Sequence, residues 1–363
     1  MTDPLRRSAL KWAAAALLVS LGGPAAAQSL SRDVAVPFYK PEDVMTGLYR
    51  HWAQPRAVAF ADTAQKLHLA LERICAPAQG GASAGLAAAR SAWKAAVADW
   101  ERLSAVPFGP LIERRSVRAI DFTPPRPPLI ERAIKQAPRG AAAMERIGTP
   151  AKGFPALEWL LWEKPVERGS QACAYAAEVA ADITREAEAL KAAFAGADPG
   201  AWDAEQTAAA FTEFVNQWVG SMERLRWQEI ERPVREAKSA SRSAARFPRQ
   251  ASGATASSWE THWKALQDLA VFREQEGEQE APQPGRALIP VELYLRGRGQ
   301  AALAQRWKDA IGQAGSAMHG LTPEKRGQLL PAAKSLAVVK RLAEEDIAPA
   351  LNVSIGFSDA DGD

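Results

Sequence analysis

The chain is poor in the residues that most catalytic and metal centres use. Its 363 residues include only two cysteines and four histidines, and no paired-cysteine or paired-histidine metal motif, phosphate-binding glycine loop or nucleophile elbow is present. The histidines are scattered singly: His51, His68, His262 and His319. A lone histidine on a helix is more often a polar or capping residue than a metal ligand. The sequence therefore does not indicate any common class of enzyme.

The chain also lacks a strong excess of charge of one sign. Lys and Arg total 45 and Asp and Glu total 42, a formal net charge of +3. Nucleic-acid binding needs a concentrated basic patch. The densest basic stretch is interpreted as a solvated loop or helix end; it contains Arg232, Arg235, Lys238, Arg242, Arg246 and Arg249. We therefore expect no nucleic-acid partner.

Long hydrophobic runs are absent except near the start of the chain. An apolar run over 12–21 follows the basic residues Arg6, Arg7 and Lys11. A small-residue cleavage site follows that run, with Ala25 and Ala27. This pattern predicts an export signal over residues 1–27, cleaved after Ala27, with a general secretory or a twin-arginine route. No later stretch is long enough to span a bilayer. We expect a periplasmic protein with no transmembrane segment after cleavage.

Cys75 and Cys173 are the only cysteines. An even pair in an oxidising compartment is most simply a disulfide. Both lie on predicted helices, so the bridge would join two helices and close a loop of roughly a hundred residues. Two free thiols or a metal-binding pair are the alternatives.

Helical periodicity dominates the chain. Apolar residues recur at steps of three, four and seven, as in Phe211, Val215, Trp218, Met222 and Leu225, while alternating strand-like runs are nearly absent. Seven prolines interrupt 107–138, and the sequence AGADPG occupies 195–200. We predict an all-α protein of two antiparallel four-helix-bundle-like lobes, residues 38–196 and 201–363.

The most informative stretch is 153–162, GFPALEWLLW. Pro155 suits the first position of a helix, and Glu158 in its first turn would complement the helix dipole. On this interpretation Glu158 only stabilises the helix. On the alternative, its carboxylate faces the seam between the two lobes and contacts a ligand or a cation.

This stretch resembles the signature of the imelysin-like proteins, in which a glycine, a histidine two residues on and a glutamate three further form a proposed metal site. Here the histidine position is Pro155, between Gly153 and Glu158. Four further stretches resemble the family in order and spacing: 108–110 (FGP), 118–122 (RAIDF), 247–253 (FPRQASG) and 353–363 (VSIGFSDADGD). The resemblance covers roughly 41–363 and implies one imelysin-like domain of two helical lobes.

Relatives in this family are periplasmic components associated with iron acquisition. The resemblance implies a non-enzymatic binding protein that acts with an iron-uptake or envelope partner. A pocket lined by Glu158, Arg118 and Asp121 would support this function, with Glu158 as a weak ligand of iron or another divalent cation. Proline offers no ligand, so further ligands would have to come from His262 or the aspartate tail.

Two alternatives remain. One is a metallopeptidase, the activity for which the family was first named, although the sequence assigns no catalytic residue. The other is a structural envelope protein that binds a protein partner through an exposed apolar seam.

Overall fold

Helices make up the regular structure of this protein in the computed structural model, which describes residues 36–76, 82–239, 245–273 and 281–356. Within those ranges there is no β-strand, which confirms the all-α prediction. None of the described helices is long and apolar enough to cross a membrane. The predicted export signal and the aspartate tail lie outside the described residues.

The N-terminal half, up to Gly196, is built on three long helices. Helix α2 packs along both α3 and α9. A π-helical segment, Leu48–Ala53, joins α1 to α2, and a second, Trp159–Glu163, extends α8. The helices are α1 (Pro41–Gly47), α2 (Gln54–Cys75), α3 (Ala82–Ser104), α4 (Pro110–Glu113), α5 (Ser116–Ile120), α6 (Pro127–Gln136), α7 (Gly140–Glu145), α8 (Gly153–Glu158) and α9 (Gln171–Gly196).

The predicted disulfide is confirmed. Cys75 ends α2 and Cys173 lies in the first turn of α9, with their Cα atoms 5.4 Å apart. The bond fixes the end of α2 against the start of α9, where the two helices already pack together. The proline-rich stretch between α3 and α8 forms the short helices α4 to α7, as the prolines predict.

The C-terminal half, from Ala201 on, is held by tryptophans that pack and donate hydrogen bonds. The rings of Trp218 and Trp307 lie 5.1 Å apart, and their Nε1 atoms donate to the carbonyls of Leu266 and Ala270. The helices are α10 (Ala204–Glu223), α11 (Arg232–Ser239), α12 (Thr255–Ala270), α13 (Val291–Gly297), α14 (Ala301–Met318), α15 (Arg326–Leu342) and α16 (Ala348–Ala350). A π-helical segment, Arg224–Glu231, joins α10 to α11.

The two halves share one continuous core. Helix α12 packs on α3, and α10 packs on α1. Near the C-terminus Ile355 is partly buried against this core, as expected, while Phe357 lies outside the described residues. The described residues belong to one compact unit that begins at Val36. The predicted lobe limits, 38–196 and 201–363, therefore stay a prediction.

Candidate functional site

Gly153 opens α8, and no other residue fits there. Its φ is +78°, and a Cβ added to it would lie 2.3 Å from the carbonyl oxygen of Ile120, the last residue of α5. Glycine alone adopts this backbone conformation at little cost and leaves room for the neighbouring chain. The glycine of the signature thus allows α8 to begin directly against α5.

Pro155 and Glu158 take different helical positions from those predicted. Helix α8 begins at Gly153, so Pro155 is its third residue and Glu158 its sixth. Pro155 is tolerated there because the first four N–H groups of a helix have no intrahelical partner. The interpretation of Glu158 as a first-turn dipole charge is wrong, because its carboxylate lies beyond the first turn and the helical path continues through Glu163.

The Glu158 side chain is buried and bonded to the C-terminal half. Its Oε1 accepts hydrogen bonds from the backbone N–H of Ser252, at 2.8 Å, and from the Ser252 hydroxyl, at 2.7 Å. Only 8% of Glu158 and 5% of Ser252 are exposed. Two donors on one carboxylate oxygen form a strong, charge-assisted contact. Glu158 therefore does face the seam between the halves, and a loop of this chain occupies part of its carboxylate.

Arg249, in the same loop, is the central cation of the seam. Its Nη2 donates to both carboxylate oxygens of Asp121 at 2.7 Å, and its Nε donates to Oε1 of Glu101 at 3.2 Å. The guanidinium carbon lies 5.6 Å from the ring centroid of Trp93. Arg249 is 5% exposed. The interpretation of the basic stretch as solvated is therefore wrong for this residue.

The carboxylates around Arg249 have further hydrogen bonds. Asp121 also accepts a hydrogen bond from Trp100 Nε1 at 2.8 Å, and Glu101 accepts one from the Ser258 hydroxyl. Burial opposes a charge on Arg249, but Asp121, Glu101 and Glu158 outweigh that effect and raise its pKa. Burial also raises the pKa of Glu101, against the opposing effect of Arg249. The guanidinium is therefore permanently charged and holds these carboxylates together.

A second buried group includes His262. Its Nδ1 lies 3.0 Å from Oε1 of Glu229, and its Nε2 lies 2.7 Å from Nη2 of Arg224. Because arginine can only donate, this contact assigns Nε2 as the acceptor and places the proton of a neutral ring on Nδ1, facing Glu229. Burial tends to raise the pKa of Glu229, but His262, Arg224 and Arg249 hold it below its ordinary value. Both ring nitrogens of His262 thus have protein partners.

The structure brings together some of the residues that the sequence singled out. Glu158 and Asp121 both contact the 247–253 loop, through Ser252 and Arg249. Arg118 is exposed, and its side chain makes no hydrogen bond or ion pair to the described part of the chain. Arg249 supplies the guanidinium instead. The likeness of 247–253 to the family marked this loop, but nothing in the sequence indicated which residue it would contact.

Metal ligation does not fit this arrangement. Pro155 has no ligand atom, Oε1 of Glu158 accepts two hydrogen bonds, and both ring nitrogens of His262 are engaged. Within the described ranges no three or more His, Cys, Asp or Glu side chains converge as a metal site would require. The seam is chemically a network of hydrogen bonds and ion pairs within the chain.

Comparison with known proteins agrees with this fold. The model of the Peptidase M75 family, described as imelysin, matches residues 53–348. An imelysin-like protein from Psychrobacter arcticum 273-4 has a similar solved structure, with a TM-score of 0.69 and 15% identity over 89% of this chain and 100% of that one.

A second similar structure is that of a protein described as an iron-regulated protein A precursor, from Parabacteroides distasonis ATCC 8503. Its TM-score is 0.59, with 13% identity over 86% of this chain and 93% of that one. No curated protein matches the sequence significantly. At these identities the two structures indicate the fold alone. The family match covers most of the chain, and on that ground the protein belongs to the imelysin family.

Proposed function

We propose that this protein is an exported, non-enzymatic binding component of the imelysin family, linked to iron acquisition, in which the signature has become a structural joint. The observation that carries this proposal is the double hydrogen bond from Ser252 to Glu158, next to a proline in the histidine position. A carboxylate oxygen that already accepts two hydrogen bonds from a loop of its own chain is poorly suited to bind a catalytic metal.

Two observations support the remaining parts of the proposal. The disulfide between Cys75 and Cys173 suits an oxidising compartment, as the predicted export signal requires. The similar structure from Parabacteroides distasonis carries an iron-regulated description. Together they support a role in the periplasm under the control of iron.

The peptidase alternative needs more than this seam offers. A catalytic zinc site takes three protein ligands and leaves one position open for water. The signature supplies one carboxylate and a proline, and His262 is held between Glu229 and Arg224. For this reason we rank a binding function above peptide hydrolysis.

The function is tested first in cells. Deletion of the gene should slow growth when iron is limiting and leave growth unchanged when iron is plentiful, and the protein should be recovered in the periplasmic fraction. Wild type and Glu158→Gln should both restore growth, because a glutamine still accepts a hydrogen bond from Ser252. Equal growth of the deletion strain at all iron levels would refute the link to iron.

The loss of the family's metal pair is tested in vitro. Zinc and ferrous ions are titrated into wild type, Glu158→Gln and Pro155→His, and each protein is assayed against a denatured protein substrate. We expect no cleavage by any of them and no Glu158-dependent binding in wild type. Peptide hydrolysis by wild type that Glu158→Gln abolishes would establish the metallopeptidase instead. Pro155→His, which recreates the histidine–glutamate spacing, is the matched variant for a gain of metal binding.

A further inference from the structure

A groove runs between α12 and α14 in the C-terminal half. Its cavity has a volume of about 590 Å³, within the range of small-molecule sites. Trp263, Lys264 and Gln267 line it from α12, and Gly312 and Gly315 line it from α14. Residues three or four apart share one face of a helix. The groove is therefore formed by two facing helix surfaces, which hold its lining residues in fixed positions.

Two glycines keep the groove open on the α14 side. Gly312 and Gly315 lie inside the helix, where glycine is less stable than alanine, and neither has a positive φ that would require it. A Cβ added to Gly315 would lie 3.3 Å from Nε2 of Gln267 and 3.6 Å from Nε1 of Trp263. Both nitrogen atoms are thus within contact distance of one point, and the glycine leaves that point free.

Both nitrogen atoms are hydrogen-bond donors without an acceptor in the described part of the chain. Trp263 is only 6% exposed, yet its Nε1 makes no hydrogen bond there, whereas Nε1 of Trp218 donates to a backbone carbonyl of α12. The amide oxygen of Gln267 accepts from Arg273, which leaves the amide nitrogen to face the groove. The two donors beside Gly315 therefore call for an acceptor from outside the protein.

Basic side chains lie at the rim of the groove, close to these donors. Lys264 and Arg273 both pair with Asp268, at 2.9 and 3.3 Å, so the three together keep one positive charge in excess. Arg273 also donates to Gln267 itself. Glu260 lines the groove as well, one helical turn before Lys264, and forms no ion pair with a described residue. The charge next to Gln267 thus favours an anionic acceptor, and Glu260 opposes it.

We propose that this groove binds a small molecule that carries a carboxylate group. One carboxylate oxygen accepts hydrogen bonds from Trp263 Nε1 and Gln267 Nε2 over Gly315, and Lys264 and Arg273 stabilise its negative charge. An ionised carboxylate suits this place because it only accepts hydrogen bonds and each oxygen can accept two. The groove shares no residue with the Glu158 seam. The inference goes beyond the proposed function and does not rest on it.

The test uses the mature protein and four probes: sodium citrate, sodium succinate, succinamide and inorganic phosphate. Calorimetry should give a stoichiometry of one for citrate or succinate. Succinamide keeps the carbonyl acceptors of succinate without its charge, and should bind at least about tenfold more weakly than succinate. Phosphate shows whether the groove takes any oxyanion instead of a carboxylate.

A pair of glycine substitutions tests where the ligand lies. Gly315→Ala places a methyl group beside both donors and should weaken binding by at least about tenfold, as loss of hydrogen bonds to a charged group does. Gly220→Ala is the matched control, because Gly220 is also helical, has nothing within 4 Å of the added carbon and does not line the groove. Alanine favours the helix more than glycine does, so both variants should fold.

Two further variants test the donor and the charge. Trp263→Phe keeps an aromatic ring and removes the N–H group, and should weaken binding by about tenfold. Glu260→Gln removes the opposing charge, and should tighten the binding of citrate or succinate by a factor of about two to five. A merely structural role of Glu260 would not tighten binding. Circular dichroism confirms the fold of each variant.

Four results would overturn the inference. They are the absence of stoichiometric binding of both carboxylates, equal binding of succinate and succinamide, binding of phosphate alone, and carboxylate binding that Gly315→Ala and Trp263→Phe leave unchanged. The last result would place the ligand elsewhere on the protein. None of the four affects the growth test of the proposed function, so the two proposals fail separately.

Discussion

Two acidic regions of this molecule differ in whether basic side chains pair with their carboxylates. In the seam, Arg249 holds Asp121 and Glu101, and Arg224 and His262 meet Glu229. Around Tyr49, Glu213 and Glu113 have no such partner among the described residues. Burying a charge is costly unless it is paired and hydrogen-bonded. The seam therefore has the chemistry of a structural joint, whereas near Tyr49 burial raises the pKa of Glu213 and no basic side chain opposes that effect.

The difference also concerns the signature itself. The stretch that resembles the family signature, with Pro155 at the histidine position, contributes Glu158 to the hydrogen-bonded seam. Two residues of this stretch have clear structural roles. Gly153 leaves room for the backbone carbonyl of Ile120, and Glu158 accepts a hydrogen bond from the Ser252 hydroxyl.

The largest expected effect comes from removing the central cation of the seam. Arg249→Met leaves the largely buried carboxylates of Asp121 and Glu101 without the cation that pairs with them, and should lower the free energy of unfolding by about 3–5 kcal/mol. Arg118→Met, on an exposed arginine of the same region, should change it by less than about 0.5 kcal/mol. Urea unfolding monitored by circular dichroism measures both. A loss below about 1 kcal/mol for Arg249→Met would mean that the seam is not a joint.

The next largest effect is the loss of stability when a glycine with positive φ is replaced by alanine. Two glycines separate the cost of a steric clash from the cost of the backbone conformation. Gly153→Ala adds a methyl group that meets the Ile120 carbonyl at 2.3 Å, at a φ of +78°, and should cost roughly 2–5 kcal/mol. Gly140→Ala is the matched control, because its φ is +74° and nothing lies within 4 Å of the added carbon. It should cost only about 1–2 kcal/mol. Equal losses in thermal unfolding would show that Ile120 readily moves aside.

A double-mutant cycle measures the contact that carries the proposed function. Ser252→Ala removes one of two donors to Glu158, and Glu158→Gln removes the charge while keeping an acceptor. Each should cost about 1–2 kcal/mol, and the double variant should cost less than their sum, since the two side chains share one hydrogen bond. Additive losses would indicate that the two residues act independently, which would leave Glu158 available to an external ligand.

The smallest expected effect is the change in stability when a single glutamate is replaced by glutamine, and its sign should differ between Glu213 and Glu229. The folded-state pKa of Glu213 is raised, so its ionisation destabilises the folded protein; Glu213→Gln should therefore raise stability above pH 4.5, by about 0.5 kcal/mol after screening. The folded-state pKa of Glu229 is lowered, so its stabilising charge is present above pH 4.5 and is lost as the pH falls through the folded value. Glu229→Gln should therefore lower stability at pH 7 and have little effect in strong acid.

Melting temperatures measured from pH 3 to about pH 8 without added cation check both signs. If both substitutions lower stability at neutral pH, then Glu213 has a counter-charge in solution and the contrast between the two regions disappears.

Parts of the site could be predicted from the sequence, because they depend on residues that are close together along the chain. Gly153 and Glu158 were recognised by spacing within a few residues, and Asp121 by its neighbours in 118–122. Arg249 was assigned the wrong environment, because nothing local in its segment distinguishes a buried arginine from an exposed one. Burial of Arg249 depends on Asp121, which lies 128 residues away along the chain.

The sequence by itself determined the helical class and the disulfide. Helical periodicity is a property of neighbouring residues, and a chain with only two cysteines has a single possible intramolecular pairing. Only the tertiary structure decided the partner of Glu158, the pairing of Asp121 with Arg249 and the burial of His262. Each of these depends on which distant backbone segment meets the side chain, and electrostatic energy in a buried environment depends on that distance far more than on the type of residue alone.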